Sequence, residues 1–112
     1  MNSQTRDSTA VHSAWKTSRG LFSLSTDWDD DVPESEKRSR KQQGVEISKR
    51  LAKIVGKDGG TYINEANPYE LDWKQAFWGN KYDKLERIKS KVDPQRLFVC
   101  NRCVGGDVVY KP

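Results

Sequence analysis

The sequence predicts an α+β fold in which a few antiparallel strands accompany one long helix and two shorter ones. Apolar residues alternate with serine from Leu21 to Ser25, which is typical of a strand that is buried on one face. Further along, apolar residues recur at the three- and four-residue spacing of amphipathic helices. The first such stripe consists of Ile47, Leu51, Ile54 and Val55, and the second of Tyr82, Leu85, Ile88 and Val92.

The composition favours one small domain with a thin core. The chain has 112 residues, of which 34% are hydrophobic, against about 45–50% in typical soluble domains. A domain of this size buries a modest fraction of its surface, and the same shortage of apolar residues is expected if another lobe supplies part of the core. The net charge of +4 is mild and bears on solubility rather than on fold.

No targeting or membrane segment is predicted. The first ten residues lack the apolar core of a signal peptide, and no stretch reaches the apolar length of a membrane span. We therefore expect no membrane partner, while the compartment and the oligomeric state stay open. Residues 1–11 are polar and predicted to be disordered, so residues 12–112 form the expected domain.

The first half of this domain is predicted to contain one or two strands and the long helix. The strands lie within Ala14–Trp28, with a bulge or turn at Arg19-Gly20. Aspartates just upstream of Pro33 favour the positive end of a helix dipole, and proline suits a first helical turn. We predict a helix from about 33 to 55, with a largely polar first half.

The second half is predicted to alternate short strands with the two shorter helices. Glycine pairs and Asp93-Pro94 supply the breaks between them. In chain order the predicted elements are a helix end at Gly59-Gly60, a strand at 61–63, a turn at Asn67-Pro68, a helix over 73–78 capped by Asp72, a helix over 81–92, a strand at 97–99 and a turn at Gly105-Gly106.

Cys100 and Cys103 form a CxxC motif, a spacing that occurs in metal sites and in redox-active proteins. A zinc site needs four ligands, and the only histidine, His12, is far away in sequence. A thioredoxin-like motif should open a helix after a strand, which this pattern does not support. We therefore predict two incidental thiols and no metal, and we expect His12 to be structural.

A basic cluster near the start of the long helix could contact nucleic acid, or it could be a solvated helix face. It consists of Lys37, Arg38, Arg40 and Lys41. The aspartates before it partly cancel its field, and no fold signature of a nucleic-acid reader accompanies it. We predict no nucleic-acid partner.

The segment Trp73, Phe77, Trp78 and Tyr82 follows helical spacing and is predicted to pack in the core against Leu85 and Ile88. Nearby, a strand would place Tyr62 and Asn64 on one face and Ile63 and Glu65 on the other. Glu65, beside apolar neighbours, is either a general base or a surface carboxylate, and the residues alone leave both interpretations open.

The ordered string TYINEAN, DWKQAFWGNKYDKLERIKSKVDPQRLF and CVGGD resembles the C-terminal berberine-bridge-enzyme-like segment of fungal FAD-linked oxidoreductases, which are vanillyl-alcohol-oxidase type flavoproteins. The segment HSAWK at His12 is similar to the family's His-Pro-Ala-Trp-Arg strand start. The resemblance thus covers about residues 12–107. It departs from the family at Asn67, Leu71, Cys103 and Gly106.

The resemblance implies an oxidase of a small organic, secondary-metabolite type substrate, with FAD as cofactor and oxygen as the acceptor that reoxidises it. In such flavoproteins an N-terminal lobe holds FAD and a substrate lobe with an antiparallel sheet covers it. We therefore expect this chain to be the last part of a substrate lobe, not to bind FAD alone and to be inactive alone.

The resemblance also implies three site residues. Tyr62 and Asn64 match the family's Tyr-x-Asn and are expected to face the flavin and substrate, and Glu65 is the candidate catalytic base. Two further interpretations stay open, namely a non-catalytic interaction module that uses the basic helix 33–55, and a degenerate remnant.

Overall fold

The structure, a computed structural model, describes residues 9–106. Three α-helices organise them: α1 (Glu34–Val55), α2 (Trp73–Trp78) and α3 (Tyr82–Val92). Single 3₁₀ turns lie at Ser13–Lys16, Ile63–Glu65 and Gly79–Lys81. Most of the disorder predicted for residues 1–11, and the predicted domain end beyond residue 106, lie outside the described residues.

The predicted α+β fold with antiparallel strands is wrong, because residues 9–106 contain helices and loops but no strand. The alternating segment around Leu21–Ser25 is extended, yet no backbone–backbone hydrogen bond joins residues 19–28 to another described segment. The alternation of apolar and polar residues indicates which side chains favour burial, but a strand also needs hydrogen bonds to a partner backbone. Here, among the described residues, that partner is absent.

The other two predicted strands, residues 61–63 and 97–99, are replaced by turns. The hydrogen bonds of these turns engage backbone N–H groups that would otherwise be available to pair with a neighbouring strand. Thr61 donates its N–H to the carbonyl of Ala76 at the end of α2, at 2.7 Å, and the chain then enters the 3₁₀ turn Ile63–Glu65. Near the C-terminus, the carboxylate of Asp93 accepts from the N–H groups of Leu97 and Phe98 at 2.9 and 3.1 Å. Each segment is therefore held by a helix end.

The three predicted helices are confirmed, with bounds within one residue of those expected. α1 begins after Pro33 with Glu34 and Glu36 in its first turn, where carboxylates suit the helix dipole. It ends at Gly56, which takes φ 77°, rather than at Gly59-Gly60. Asp72 precedes α2 as predicted but its side chain makes no capping hydrogen bond.

The core is small and aromatic. Trp73, Phe77 and Tyr82 are buried together, and the rings of Trp73 and Tyr82 meet edge to face at 5.3 Å. The aromatic core is thus confirmed, although Ile88 is 47% exposed and does not belong to it. The partly buried residues packed against this core are Ile63, Ala66, Ala76 and Trp78.

The chain is thin, with principal extents of 51 × 38 × 19 Å. Because a helix with its side chains is about 10–12 Å wide, the molecule is roughly two helices thick and most apolar side chains reach a surface. Leu21, Phe22 and Leu24 are all more than half exposed. No helix in residues 9–106 combines the length and apolar character needed to cross a membrane.

Candidate functional site

An open groove of about 870 Å³ lies between the extended segment 18–28, α1 and the region 59–76. Its apolar lining includes Leu21, Phe22, Leu24 and Trp28 on the extended segment and Ile47, Leu51 and Val55 on α1. Contiguous exposed apolar surface of this kind marks a binding region. The groove is therefore the candidate site of the described residues.

Glu65 lines this groove from the last position of its 3₁₀ turn. The turn puts it close to the core, since Ile63 packs against the aromatic cluster, while Glu65 itself is exposed. A carboxylate at the edge of an apolar groove can accept a proton from a bound molecule. The candidate base is thus placed beside a cavity, by a turn instead of the expected strand.

Tyr62 and Asn64 do not line the groove. The amide Nδ2 of Asn64 donates to the hydroxyl oxygen of Tyr62 at 2.6 Å, and the ring of Trp15 meets that of Tyr62 edge to face at 5.8 Å. The structure therefore brings Tyr62 and Asn64 together, as the predicted shared face required, but separates them from the surface that Glu65 lines.

Asn67 fixes the groove wall that follows Glu65. Its Nδ2 donates to the hydroxyl of Ser48 on α1 at 3.2 Å, and its Oδ1 accepts the N–H of Tyr69 at 2.9 Å. Its carbonyl accepts from the guanidinium of Arg102 at 3.4 Å. One side chain thus ties the 65–70 loop to α1, and its backbone ties the loop to the C-terminal turn.

The charges around the groove decide which ligands it suits. Glu65, Glu70 and Asp72 line it from one side. The lysines that line it, Lys41, Lys53 and Lys57, lie on or just after α1, and Lys41 is engaged over the ring of Trp28 at 5.9 Å. This distribution suits an apolar molecule with polar groups at its rim.

His12, which the sequence predicts to be structural, is one of the buried polar residues of the described chain. It is 3% exposed, and its Nδ1 accepts the N–H of Ala14 at 3.0 Å. Burial of the imidazole, together with the charge of Lys81, lowers the pKa of His12, against an opposing contribution from the backbone of Gln75. Nδ1 can accept the hydrogen bond from Ala14 only in the neutral ring, whose single proton then lies on Nε2, an atom buried without a hydrogen bond of good geometry.

Two glycines make room for this ring. A Cβ on Gly60 would lie 2.7 Å from Nδ1, and one on Gly79 would lie 2.6 Å from Nε2. Lys81 closes the same region by donating to the carbonyls of Thr9 and Val11 at 2.9 and 2.7 Å. His12 therefore fastens the N-terminal segment to the end of α2. The structural role predicted for it is confirmed, but its glycine partners had no signal in the sequence.

Cys100 and Cys103 form a disulfide, which corrects the prediction of two incidental thiols. Their Cα atoms are 5.3 Å apart, within the normal range for a bridge. No group of three or more histidine, cysteine or acidic residues within 9–106 is arranged to hold a metal ion.

The basic cluster on α1 is largely occupied by local contacts. Arg40 donates to the carboxylate of Glu36 at 2.9 Å and to the backbone carbonyl of Asp27 at 3.1 Å. Lys37 donates to the carbonyl of Asp30 at 3.2 Å. These contacts hold the 27–31 loop on the first turns of α1, which supports the solvated, structural interpretation over a nucleic-acid surface.

Comparison with known proteins shows which family and which proteins this chain resembles. Residues 61–104 match the family described as berberine and berberine like. That stretch includes Glu65, the aromatic core and the Cys100–Cys103 turn. No solved structure matches the chain.

Fungal proteins match nearly the whole chain. An uncharacterized FAD-linked oxidoreductase of Arthroderma benhamiae is 58% identical over 112 residues, which is 100% of this chain and 20% of that protein. The FAD-linked oxidoreductase cheF of Chaetomium globosum is 39% identical over 105 residues, 91% of this chain and 17% of that protein. The VAO-type flavoprotein oxidase VAO615 of Thermothelomyces thermophilus is 32% identical over 99 residues, 88% of this chain and 17% of that protein.

The chain thus spans about a fifth of the length of the curated relatives it matches. The resemblance to a short segment of fungal FAD-linked oxidoreductases is confirmed by these matches. Residues 61–104 match the berberine and berberine-like family, and the whole chain is similar to a stretch of fungal FAD-linked oxidoreductases.

Proposed function

We propose that this chain acts as a substrate-side segment of an FAD-linked oxidase of small organic molecules of the secondary-metabolite type, with oxygen as the final electron acceptor. The observation that carries the proposal is similarity along all 112 residues to a protein named an FAD-linked oxidoreductase. The apolar groove with a carboxylate at its edge supports it, because such a surface suits an uncharged organic substrate.

The described residues do not fit FAD as a whole. Its diphosphate needs a cradle of backbone N–H groups, usually a glycine-rich loop at a helix N-terminus. α1 begins instead with Pro33, Glu34 and Glu36, where carboxylates repel phosphate, and Glu65, Glu70 and Asp72 line the groove. In this proposal, the flavin is held by other parts of an oxidoreductase about five times as long, and residues 9–106 do not retain it alone.

Glu65 is the proposed general base. Its carboxylate is exposed at the groove rather than consumed by an ion pair within residues 9–106, so it can take a proton from a bound substrate. Tyr62 and Asn64 are proposed to face the flavin and substrate from outside the groove, since neither residue lines it. The hydroxyl oxygen of Tyr62 accepts the hydrogen bond from Asn64, so the hydroxyl proton of Tyr62 is available for donation.

A segment exchange tests the proposal. The corresponding 112 residues of the Arthroderma benhamiae relative are replaced by this chain, and flavin content and peroxide production are measured over a panel of small hydroxylated organic compounds. We expect the chimera to keep its flavin and to oxidise the compounds that the parent oxidises. A chimera that folds and holds flavin but oxidises none of them contradicts the proposal.

The isolated chain supplies the matching control. We expect it to purify without the visible absorbance of flavin. A yellow chain with stoichiometric flavin would show that residues of this segment suffice for binding, and would overturn the assignment of the cofactor to other parts of the longer protein.

The interaction-module alternative has little support among the described residues. Three of the four basic side chains on which it depends, those of Lys37, Arg40 and Lys41, already contact the 27–31 loop or Trp28. A partner would have to displace these contacts.

A further inference from the structure

We propose that Cys100 and Cys103 form a reversible thiol–disulfide site whose oxidised state holds the groove loop 65–72 in place. The substrate of this site is a thiol reductant, and the coupling runs through Asn101 and Arg102, the two residues that the bridge encloses. The proposal is independent of flavin chemistry, because each of its contacts lies within this chain.

The bridge closes a tight turn. Cys103 donates its N–H to the carbonyl of Cys100 at 3.3 Å, and Gly106 donates to the carbonyl of Cys103 at 2.8 Å. A Cβ on Gly106 would lie 2.2 Å from the carbonyl oxygen of Cys100, so only glycine allows this coil. The disulfide therefore crosses the first turn of a compact 100–106 segment.

Arg102 takes an unfavourable conformation inside this turn. Its φ is 57°, in the left-handed region that is unfavourable for a residue with a side chain. It is only 3% exposed, its Nε is buried without a partner, and its one described hydrogen bond is the long contact to the carbonyl of Asn67. Burial of the guanidinium without close pairing is costly, so the turn needs another constraint to persist, and the disulfide supplies one.

The same two residues hold the groove loop. The amide Nδ2 of Asn101 donates to the carbonyl of Pro68 at 3.2 Å, and Arg102 reaches the carbonyl of Asn67. Asn67, which lies two residues after Glu65, in turn donates a hydrogen bond to Ser48 on α1. A continuous path of hydrogen bonds thus runs from the disulfide to the wall of the groove.

The redox step is an ordinary thiol–disulfide exchange with a dithiol. Cys100 is the more exposed of the two residues, so the reductant's thiolate attacks its sulfur, the S–S bond breaks, and Cys103 leaves as a thiolate that takes a proton from water. The second thiol of the reductant then displaces Cys100. Two electrons and two protons pass to the protein, which gains two thiols, and the reductant becomes a disulfide.

The geometry of the turn also indicates what happens when the disulfide is reduced. Without the bridge, the left-handed conformation and the buried guanidinium are no longer offset, and Arg102 is expected to relax toward solvent. Asn101 then moves with it, and the 65–72 loop keeps its tie to α1 through Asn67 but loses its tie to the C-terminal turn.

Amide hydrogen exchange of the full chain tests the proposal, with thiol alkylation and mass spectrometry to define each redox state. We expect no alkylated cysteine before treatment with dithiothreitol and two after it. Exchange in residues 98–106 and in 65–72 should accelerate roughly tenfold on reduction, the factor that corresponds to releasing the left-handed residue. Residues 34–43 of α1 serve as the internal control and should not change.

Two variants separate the coupling from a general loss of structure. In the double variant Cys100→Ser/Cys103→Ser, amide exchange should match that of the reduced chain and should not change on addition of dithiothreitol. Arg102→Gly keeps the bridge but removes both the strained left-handed side chain and the buried guanidinium, so the response to reduction should weaken in residues 98–106 and in residues 65–72. If the double variant does not fold, the comparison of amide exchange between the oxidised and reduced forms of the unsubstituted chain still tests the proposal.

Three results overturn the proposal. They are two free thiols in the untreated chain, a bridge that dithiothreitol does not reduce in the folded protein, and equal exchange of residues 65–72 in the two redox states.

Discussion

His12 and Gly79 are packed so closely that a Cβ on the glycine would lie 2.6 Å from Nε2 of the buried imidazole. Gly79 also takes φ 57° and ψ −141° as it ends α2, a conformation that side chains avoid. Gly79 thus both ends α2 and leaves room for the N-terminal segment to pack against the end of that helix.

We therefore predict that Gly79→Ala lowers the free energy of unfolding by about 3 kcal/mol or more, because it combines backbone strain with overpacking. Urea unfolding followed by circular dichroism measures the loss. Gly20→Ala is the control, since a Cβ there meets nothing within 4 Å. Equal stability of the two variants would mean that His12 does not occupy this position.

His12 should also make the chain sensitive to mild acid. Its pKa is lowered from the ordinary value of 6.5 by burial and by Lys81. The unfolded chain therefore binds the proton first as pH falls, and stability is lost below the unfolded pKa and down through the folded one. We expect the urea concentration at the midpoint of unfolding to fall as pH drops below the ordinary histidine pKa of 6.5.

His12→Asn is the matched control for this effect. The amide oxygen of asparagine can accept the N–H of Ala14 as Nδ1 does, but it does not titrate. The slope of stability against pH in this window should flatten in the variant. An unchanged slope would assign the acid sensitivity to another group.

Asp93 is predicted to anchor the end of α3. It forms an ion pair with Lys89 and accepts the N–H groups of Leu97 and Phe98. The hydrogen bond from Lys89 and those two backbone bonds lower its pKa, against the effect of burial, so this contribution is present above the ordinary carboxyl pKa and is lost as pH falls through the folded one.

Asp93→Asn should lower the thermal unfolding midpoint and speed exchange in residues 94–99, because an amide pairs poorly with Lys89. Asp83→Asn, at an exposed position in the first turn of α3, is the comparison and should have a much smaller effect. Similar losses in both variants would refute an anchoring role for Asp93.

The sequence predicts the helices well because their signals are local. The stripes of α1 and α3, Pro33 before one and Asp93-Pro94 after the other, each act within a few residues of the element they define. The aromatic core was predictable for the same reason, since Trp73, Phe77 and Tyr82 lie within ten residues of each other along adjoining helices.

The absence of strands within residues 9–106 and the packing around His12 could not be predicted, because both depend on partners distant in sequence. Leu21–Ser25 has the pattern of a strand but finds no backbone partner among residues 9–106. The space around His12 depends on Gly60 and Gly79, roughly 50 to 70 positions later. Glu65 was identified by resemblance, but only the fold places it at a groove.

Arg40 is predicted to stabilise the 27–31 loop rather than to contact a partner. It joins Glu36 to the carbonyl of Asp27, and exposed contacts of this kind contribute less than about 1 kcal/mol. Arg40→Gln should therefore barely shift urea unfolding but should speed amide exchange in residues 27–32. Arg38→Gln is the control and should change neither, because the Arg38 side chain is exposed and forms no hydrogen bond or ion pair within residues 9–106.

Glu65→Gln tests the proposed general base in the chimera with the Arthroderma benhamiae relative. If Glu65 takes the substrate proton, turnover should fall by a factor of about 10²–10⁴ while flavin content stays the same. Glu70→Gln is the matched control, because Glu70 lines the same groove five residues later and has no assigned part in proton transfer. Unchanged turnover in Glu65→Gln, or an equal loss in Glu70→Gln, would show that a carboxylate at position 65 is not the base.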